Sequence, residues 1–424
     1  MVTMHKGISI KTHEHNQNPS SWDTLTIEEV CQLVRDKVKP SSVPEQPYIG
    51  LEHLHAGDPL VTSWGNSKEV KSSKGKFQPG DVLYGRLRPY LDKAAIAPFS
   101  GICSTDILIL RPNQELVLPE ILTFVLHTKT FLAFAVSTSS GTNLPRTRWS
   151  AIRGYAFPVP PLPEQRAIAD VLGAMRRAIE STEAVIAAAR ELKRSLLEHL
   201  FTYGPVPVDQ TERIELIDTV LGPINANWSL VHLGEVSHKP QYGFTASARD
   251  DLSGPRFLRI TDMKDGRVNW TEVPTCEINE QEIDKYRLQK GDVVFARIGA
   301  TTGKSIIVGE DVDAVFASYL IRVQADGHTL LPEYLHDFAK TKGYWQQIDA
   351  AKGGRLKKGV NASVLKSLLM PLPEISVQEE ASAILQRLDR KIDVEISRRS
   401  ALVHLFRSLL NKLVMGLVRV PYGS

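Results

Sequence analysis

QPGDVLYGRLRPYLDKAAI (78–96) and KGDVVFARIGATTGKSII (290–307) align with a shift of 211 residues. Each carries Gly-Asp, an alternating apolar run, an arginine (Arg86, Arg297), a turn, a lysine (Lys93, Lys304) and a second short apolar run. PPLPEQ (160–165) is echoed by MPLPEI (370–375) at 210, SLLEHL (195–200) by SLLNKL (408–413) at 213, and Trp22 by Trp228 at 206. Four anchors in one order at nearly constant spacing mean that the chain is written twice. Whatever fold the first half takes, the second half is expected to repeat.

Each repeat has two parts. The first carries strand and turn signals: YIGLEHL (48–54), GDVLYGRL (80–87), FLRITDM (257–263) and AVFASYLIRV (314–323), with short helices expected around 119–136 and 332–349. That describes a compact mixed domain of about 130 residues. PVPPLPE (158–164) and MPLPE (370–374) then block helix propagation and predict an extended linker.

The second part is a long helix. Ile168, Leu172, Met175, Ile179, Ile186 and Leu196 fall on one seam at spacings of three and four, interrupted by Lys193. Leu385, Leu388, Ile392, Leu402, Phe406 and Leu409 repeat the pattern, interrupted by Glu395 and Arg399. Roughly 36 residues of helix span about 54 Å, whereas a domain of this size is about 30 Å across. Packing of the two helices on each other buries both seams. The expected fold is therefore α+β: two globular domains joined by a long antiparallel two-helix coiled coil, with an internal pseudo-two-fold. Its expected segments are a disordered tail 1–21, a domain 22–157, linker and helix 158–204, a connector 205–227, a domain 228–369, linker and helix 370–418, and a tail 419–424.

Composition mainly excludes. The formal charge of +3 is mild, so the local placement of charge matters more than the total. Cys31, Cys103 and Cys276 lie far apart with no CxxC pair, which disfavours a disulfide scaffold or a thiolate zinc site. The first 20 residues lack the apolar stretch of a signal peptide, and no run approaches the length needed to cross a bilayer. A cytoplasmic protein is expected.

GATTGKS (299–305) invites comparison with a phosphate-binding loop. That motif needs four residues between its glycine and Gly-Lys-Ser, and a helix behind them. Here three residues intervene, and Ile306-Ile307-Val308 reads as a strand. There is no HExxH, no GxSxG and no methyl-donor fingerprint, so neither catalysis, a metal nor a cofactor is expected in this chain. What recurs is basic clustering. Lys68, Lys71, Lys74, Arg86 and Arg88 crowd the first repeat, and GTNLPRTRWSAIR (141–153) adds Arg146 and Arg148. The counterpart AKGGRLKKG (351–359) holds Lys352, Arg355, Lys357 and Lys358. Gly-rich basic loops can follow a phosphate backbone while their side chains reach base edges. A solvated charged face is the competing reading, and recurrence in both repeats favours DNA.

PVPPLPEQRAIADVLGAMRRAI (158–179), MPLPEISVQEEASAILQRLDRKID (370–393), the paired GDVLYGRLRP and GDVVFARIG strands, QYGFTASA (241–248) and FLRITDMKDGRV (257–268) together resemble the specificity subunit of type I restriction-modification enzymes. The resemblance runs from Trp22 to Val420 and rests on order and duplication more than on any single motif. One departure is Glu374-Ile375 where the family pattern has Glu-Gln, with Gln378 three residues on, which leaves open where the second helix starts.

The resemblance implies two target recognition domains, each reading one half of a split, asymmetric double-stranded DNA site. It implies a coiled coil that sets their spacing and docks two methyltransferase subunits, and restriction and translocase subunits that complete the complex. S-adenosylmethionine, ATP and magnesium are then expected on those partners, and this chain is a non-catalytic subunit directing adenine methylation or ATP-dependent cleavage. DNA-contact candidates are Lys68, Lys71, Lys74, Arg86, Arg88, Arg146 and Arg148 in the first repeat. In the second they are Lys239, Tyr242, Arg249, Arg267, Lys304, Lys352, Arg355, Lys357 and Lys358. The rival reading is a coiled-coil scaffold that binds proteins and no DNA.

Overall fold

The computed structural model describes residues 22–250, 254–264, 266–352 and 359–421. The expected tail 1–21 and the candidates Arg355, Lys357 and Lys358 lie outside the described residues. The chain divides into two units, one made of residues 1–183 and 397–424, the other of 184–396. The helices Leu162–Thr202 and Ile375–Val414 are 41 and 40 residues long, and each contributes one half to each unit.

In the first unit an antiparallel sheet has the order Cys31–Val34, Ile107–Pro112, Val82–Gly85, Ala94–Ile96. The second unit repeats it with Gln241–Tyr242, Leu320–Val323, Val293–Ala296 and Ser305–Ile307. The inner strands are mostly apolar on both faces (ILIL, VLYG, VVFA, and LIRV apart from Arg322) because both faces are covered. A helical pair, Pro119–Leu126 and Lys129–Ser137, follows the first sheet, and Pro332–Phe338 and Lys342–Ala351 follow the second. Proline opens the leading helix of each pair, and Thr128 or Thr341 caps the next through its hydroxyl.

A second sheet in the first unit runs Lys37–Val38, Lys74–Phe77, Gly101–Cys103, Pro47–Ile49, Gly65–Asn66. Its parallel pair 47–49/101–103 is matched in the second unit by the parallel pair Arg256–Leu258/Ala314–Phe316.

The proline segments differ from the expected linkers. Ala156–Val159 pairs with Asp23–Thr26, and Leu369–Leu372 pairs with Ser229–His232, so each closes its globular part as a strand. Pro158 and Pro371 take the same place in these pairs, opposite Thr24 and Leu230. The string match of Pro161-Leu162-Pro163 with Pro371-Leu372-Pro373 is thus three residues out of register. The second helix begins at Ile375, and its buried Gln378 corresponds to Gln165. The expected connector contains a hairpin, Leu216–Thr219 with Gly222–Asn225.

Ile168 and Leu172, near the start of the first long helix, share a core with Phe406, Leu410 and Leu413, near the end of the second. Met175, Ile179 and Leu409 pack against that core. In the other unit Leu197, Leu200 and Phe201 share a core with Ala381 and Leu385, and Leu196 packs on it. Ile186 and Ile392 are buried, while Leu388 and Leu402 are half-buried. Full burial of each such side chain contributes about 1.5–3 kcal/mol. The charges that interrupt the seams are paired: Arg399 with Glu183 inside the first unit, Lys193 with Asp389 inside the second.

Candidate nucleic-acid interface

The stretch GATTGKS joins Val293–Ala296 to Ser305–Ile307 as an antiparallel hairpin, so a strand follows it where a phosphate loop requires a helix. Gly299 and Gly303 have φ of 82° and 92°. The corresponding positions of the first repeat are Arg88 and Asp92, both at φ 52°. These are the two non-glycine residues with positive φ among the described residues. The turn demands left-handed backbone at two points. Glycine adopts it without strain, and a residue with a Cβ at a cost of about 1–2 kcal/mol. Asp92 is compensated, since its Oδ1 lies 2.7 Å from Nδ1 of buried His127. The guanidinium of Arg88 is exposed and makes no hydrogen bond or ion pair among the described residues.

The same hairpin gathers arginines distant in sequence. Thr147 N donates to Arg86 O (3.0 Å), Arg88 N donates to Pro145 O (2.7 Å), and Leu87 bridges to Arg146. Arg86, Arg88, Arg146 and Arg148 therefore flank one short two-stranded contact. Arg148 is exposed at the N-cap of Trp149–Ile152. Arg146 Nε donates to Asp106 (3.0 Å), and this bond raises the guanidinium pKa further above its ordinary value. Arg86 lines a cleft of about 450 Å³ beside Arg35, Lys37 and Ser104, and its Nε is buried with no hydrogen-bond partner among the described residues.

In the second unit the frame persists and the side chains change. Val360 N donates to Arg297 O (2.9 Å), and Arg297 N donates to Tyr319 O (3.0 Å), as Arg86 N does to Asp106 O (2.9 Å). Arg297 thus stands for Arg86, while Gly299, Gly359 and Asn361 stand for Arg88, Arg146 and Arg148, and Tyr319 for Asp106. Arg297, which the candidate residues omitted, lies with Cζ 5.0 Å from the Tyr242 ring centre, and the Tyr242 hydroxyl accepts from Ala362 N (3.0 Å). Its duplicated position was the available signal; the stacking on Tyr242 was not visible in sequence.

Other candidates divide by partner. Lys71, Lys239 and Lys304 are exposed. Lys68 pairs with Glu45, Arg249 with Glu277, Arg267 with Asp393, and Lys352 with Asp349 while lying over Trp345. Lys74 is buried, and its ammonium donates to the Ser72 carbonyl and hydroxyl at 3.0 and 2.6 Å, which ties it to the fold. Among the described residues no group of three His, Cys, Asp or Glu could hold a metal. Burial pushes the thiols of Cys31 and Cys103 up to about 12 and that of Cys276 to about 11, so none is a thiolate near neutral pH. The arrangement is suited to holding an extended anion along exposed guanidinium and ammonium groups.

Comparison with known proteins agrees with this duplicated frame. The sequence profile of the type I restriction modification DNA specificity domain matches residues 19–190 and again 225–403. The type I restriction enzyme MjaVIII specificity subunit of Methanocaldococcus jannaschii is 21% identical over 95% of this chain and 94% of its own length. The EcoKI specificity subunit of Escherichia coli K12 is 22% identical over 82% of this chain and 76% of its own. The S subunit of the type I restriction-modification system of M. genitalium has a similar fold, with a TM-score of 0.57, 15% identity, and coverage of 98% of this chain and 100% of that one. A chain solved in a study of the assembly of the type I system gives a TM-score of 0.61 at 19% identity, covering 95% of this chain and 100% of that one. With two matched segments that span most of its length, the chain belongs to the type I restriction modification DNA specificity family.

Proposed function

We propose that this chain is the DNA-specificity subunit of a type I restriction-modification complex and that it reads a bipartite, asymmetric duplex site, one half through each globular part. The observation that carries the reading is the hairpin common to both units. Arg86 and Arg297 hold the same backbone frame, while the side chains around them have diverged. A shared frame with different side chains is what reading two different half-sites requires. Lys68, Lys71, Arg86, Arg88, Arg146 and Arg148, with Lys239, Tyr242, Arg249, Arg267, Lys304, Lys352, Arg355, Lys357 and Lys358, remain the contact candidates; Arg297 joins them, and Lys74, held by Ser72, leaves them.

On this reading the two long helices form an antiparallel coiled coil that sets the spacing of the half-sites and docks two methyltransferase subunits. On the same proposal the segments are those the sequence predicts, with the strands Ala156–Val159 and Leu369–Leu372 assigned to their globular parts. Restriction subunits complete the assembly, and S-adenosylmethionine, ATP and magnesium act on those partners, so that this chain selects the site and performs no chemistry. No single helix among the described residues is long and apolar enough to cross a membrane, in keeping with work on DNA in the cytoplasm. Methylome sequencing of cells expressing the chain with its methyltransferase partner tests the reading. A new bipartite methylated motif is expected. Absence of any motif, together with salt-independent binding to protein partners alone, would favour the scaffold.

A further inference from the structure

We infer that Arg88 is a specificity-determining residue of the first half-site, and that its guanidinium contacts a guanine base edge. The inference rests on the DNA-reading function proposed above and names the chemistry of one of its contacts. Three observations converge on it. Arg88 holds a left-handed backbone at φ 52°, where the second repeat has Gly299 at φ 82°. A Cβ built on Gly299 meets nothing within 4 Å, so it is the backbone conformation, not crowding, that suits glycine at this turn. An arginine there costs the fold something that glycine does not, and strain of this kind is retained where the side chain serves a purpose.

The purpose is not internal to the first unit. Asp92, the other strained residue of the turn, is bound by His127, and Arg146 beside it is bound by Asp106. Arg88 is exposed and has no such partner among the described residues. Its backbone is nevertheless fixed: Arg88 N donates to Pro145 O (2.7 Å), and Arg88 O accepts from Leu91 N (2.9 Å). A planar five-donor fork on a fixed backbone fits the paired acceptors O6 and N7 of guanine.

The contrast between the repeats separates base from phosphate. Arg86 and Arg297 are common to both, as expected of contacts to the uniform DNA backbone, whereas Arg88 is present only in the first. Contacts that differ between two readers of different sequences are the ones that carry sequence.

The test compares Arg88→Gly, Arg88→Lys and the unaltered full chain, each assembled with its methyltransferase partner, by methylome sequencing, duplex binding across a salt series and thermal unfolding. Arg88→Gly is expected to unfold at the same or a higher midpoint. It is expected to relax one guanine position of one half-site to any base, leaving the other half-site unchanged. Arg88→Lys keeps the charge without the fork and is expected to relax the same position. An unchanged motif, a uniform loss of methylation with a smaller salt dependence, or a lower midpoint would each overturn the assignment. The last two would point to a phosphate contact and to a role in the fold, respectively. If the unaltered complex methylates no bipartite motif, the DNA-reading function fails first, and the assignment with it.

Discussion

Gln165 and Gln378 stand at the same point of the two long helices and make the same three hydrogen bonds. The side-chain oxygen of Gln165 accepts from Leu118 N at 2.8 Å, and its amide donates to Leu116 O and Pro160 O at 2.7 and 2.8 Å. Gln378 accepts from Leu331 N at 3.0 Å and donates to Thr329 O and Pro373 O at 2.8 and 2.9 Å. Both are fully buried, and each ties a helix start to the loop that leads into the short helical pair.

Removing either amide strands one N–H and two carbonyls out of water. Gln165→Ala and Gln378→Ala are each expected to cost about 3 kcal/mol or more, since each orphaned group costs about 1–3 kcal/mol. Glu at either position should cost at least as much, because it replaces donors with acceptors facing carbonyls. Urea unfolding of the full chain measures both.

Asp81 and Asp292 immediately precede the corresponding strands Val82–Gly85 and Val293–Ala296, and both are buried. Asp81 binds Arg111 at 2.8 Å; Asp292 binds Gln324 at 2.8 Å and Arg322 at 3.2 Å. The Arg322 side chain is 9% exposed and that of Arg111 is 30%. Asp292→Ala leaves a buried guanidinium without its carboxylate and should cost about 3 kcal/mol, tempered by its bonds to Arg287 O and Lys285 O, whereas Arg111 can turn toward water, so Asp81→Ala should cost less. Equal losses in the same urea assay would contradict this ranking.

His336 lies buried beside Asp337. Burial lowers its pKa well below the usual 6.5, and the charges of Lys340 and Lys193 lower it further. The unfolded chain therefore takes up a proton below about pH 6.5 that the folded chain refuses, and stability falls as pH drops, by about 1.4 kcal/mol per unit. Asp337 works in the other direction. Burial raises its pKa although Lys340 and Lys193 oppose this, so protonation favours the folded state as pH falls through the raised value. Asp389 adds to the upward shift of Asp337. His336→Gln should flatten the fall between pH 6.5 and 5 and leave the Asp337 contribution in place, read as denaturation midpoints across that range.

Glu164 is fully buried, accepts from Trp22 Nε1 at 3.0 Å, and is bridged by Arg419, whose guanidinium lies over the Trp22 ring. In the second repeat its place is taken by Val377, which with Trp228 packs around Gly204. Arg419→Ala should cost about 3 kcal/mol or more by leaving the carboxylate buried without its cation. Glu164→Val combined with Arg419→Met should recover most of that loss, because the apolar version already exists in this molecule. A thermal-unfolding double-mutant cycle decides.

The elements that were legible in the sequence are those defined by local pattern: the paired hairpins, the short helix pairs and the two long helices. The register of the proline segments was not, because Pro-Leu-Pro strings attract alignment while strand pairing sets the true correspondence of Pro158 with Pro371. Asp81 and Asp292 could be seen in the two Gly-Asp pairs, but their partners lie elsewhere in the chain and differ between repeats, Arg111 in one and Gln324 with Arg322 in the other. For the candidate interface, the basic loops were visible as composition. That Lys74 turns inward, and that Arg88 sits where glycine is comfortable, depend on backbone angles that one sequence does not display.

The split of the long helices between the units has a consequence for how the protein is made. The second unit is one continuous segment, 184–396, and every residue it needs has been synthesised before the last stretch of the chain. The first unit begins earlier but must wait for 397–424. Until then Ile168 and Leu172 lack Phe406, Leu410 and Leu413, so the half translated first is the half completed last. A stalled or truncated product would therefore carry a finished second unit and an open first one, with a sticky apolar stripe that protein quality control can recognise.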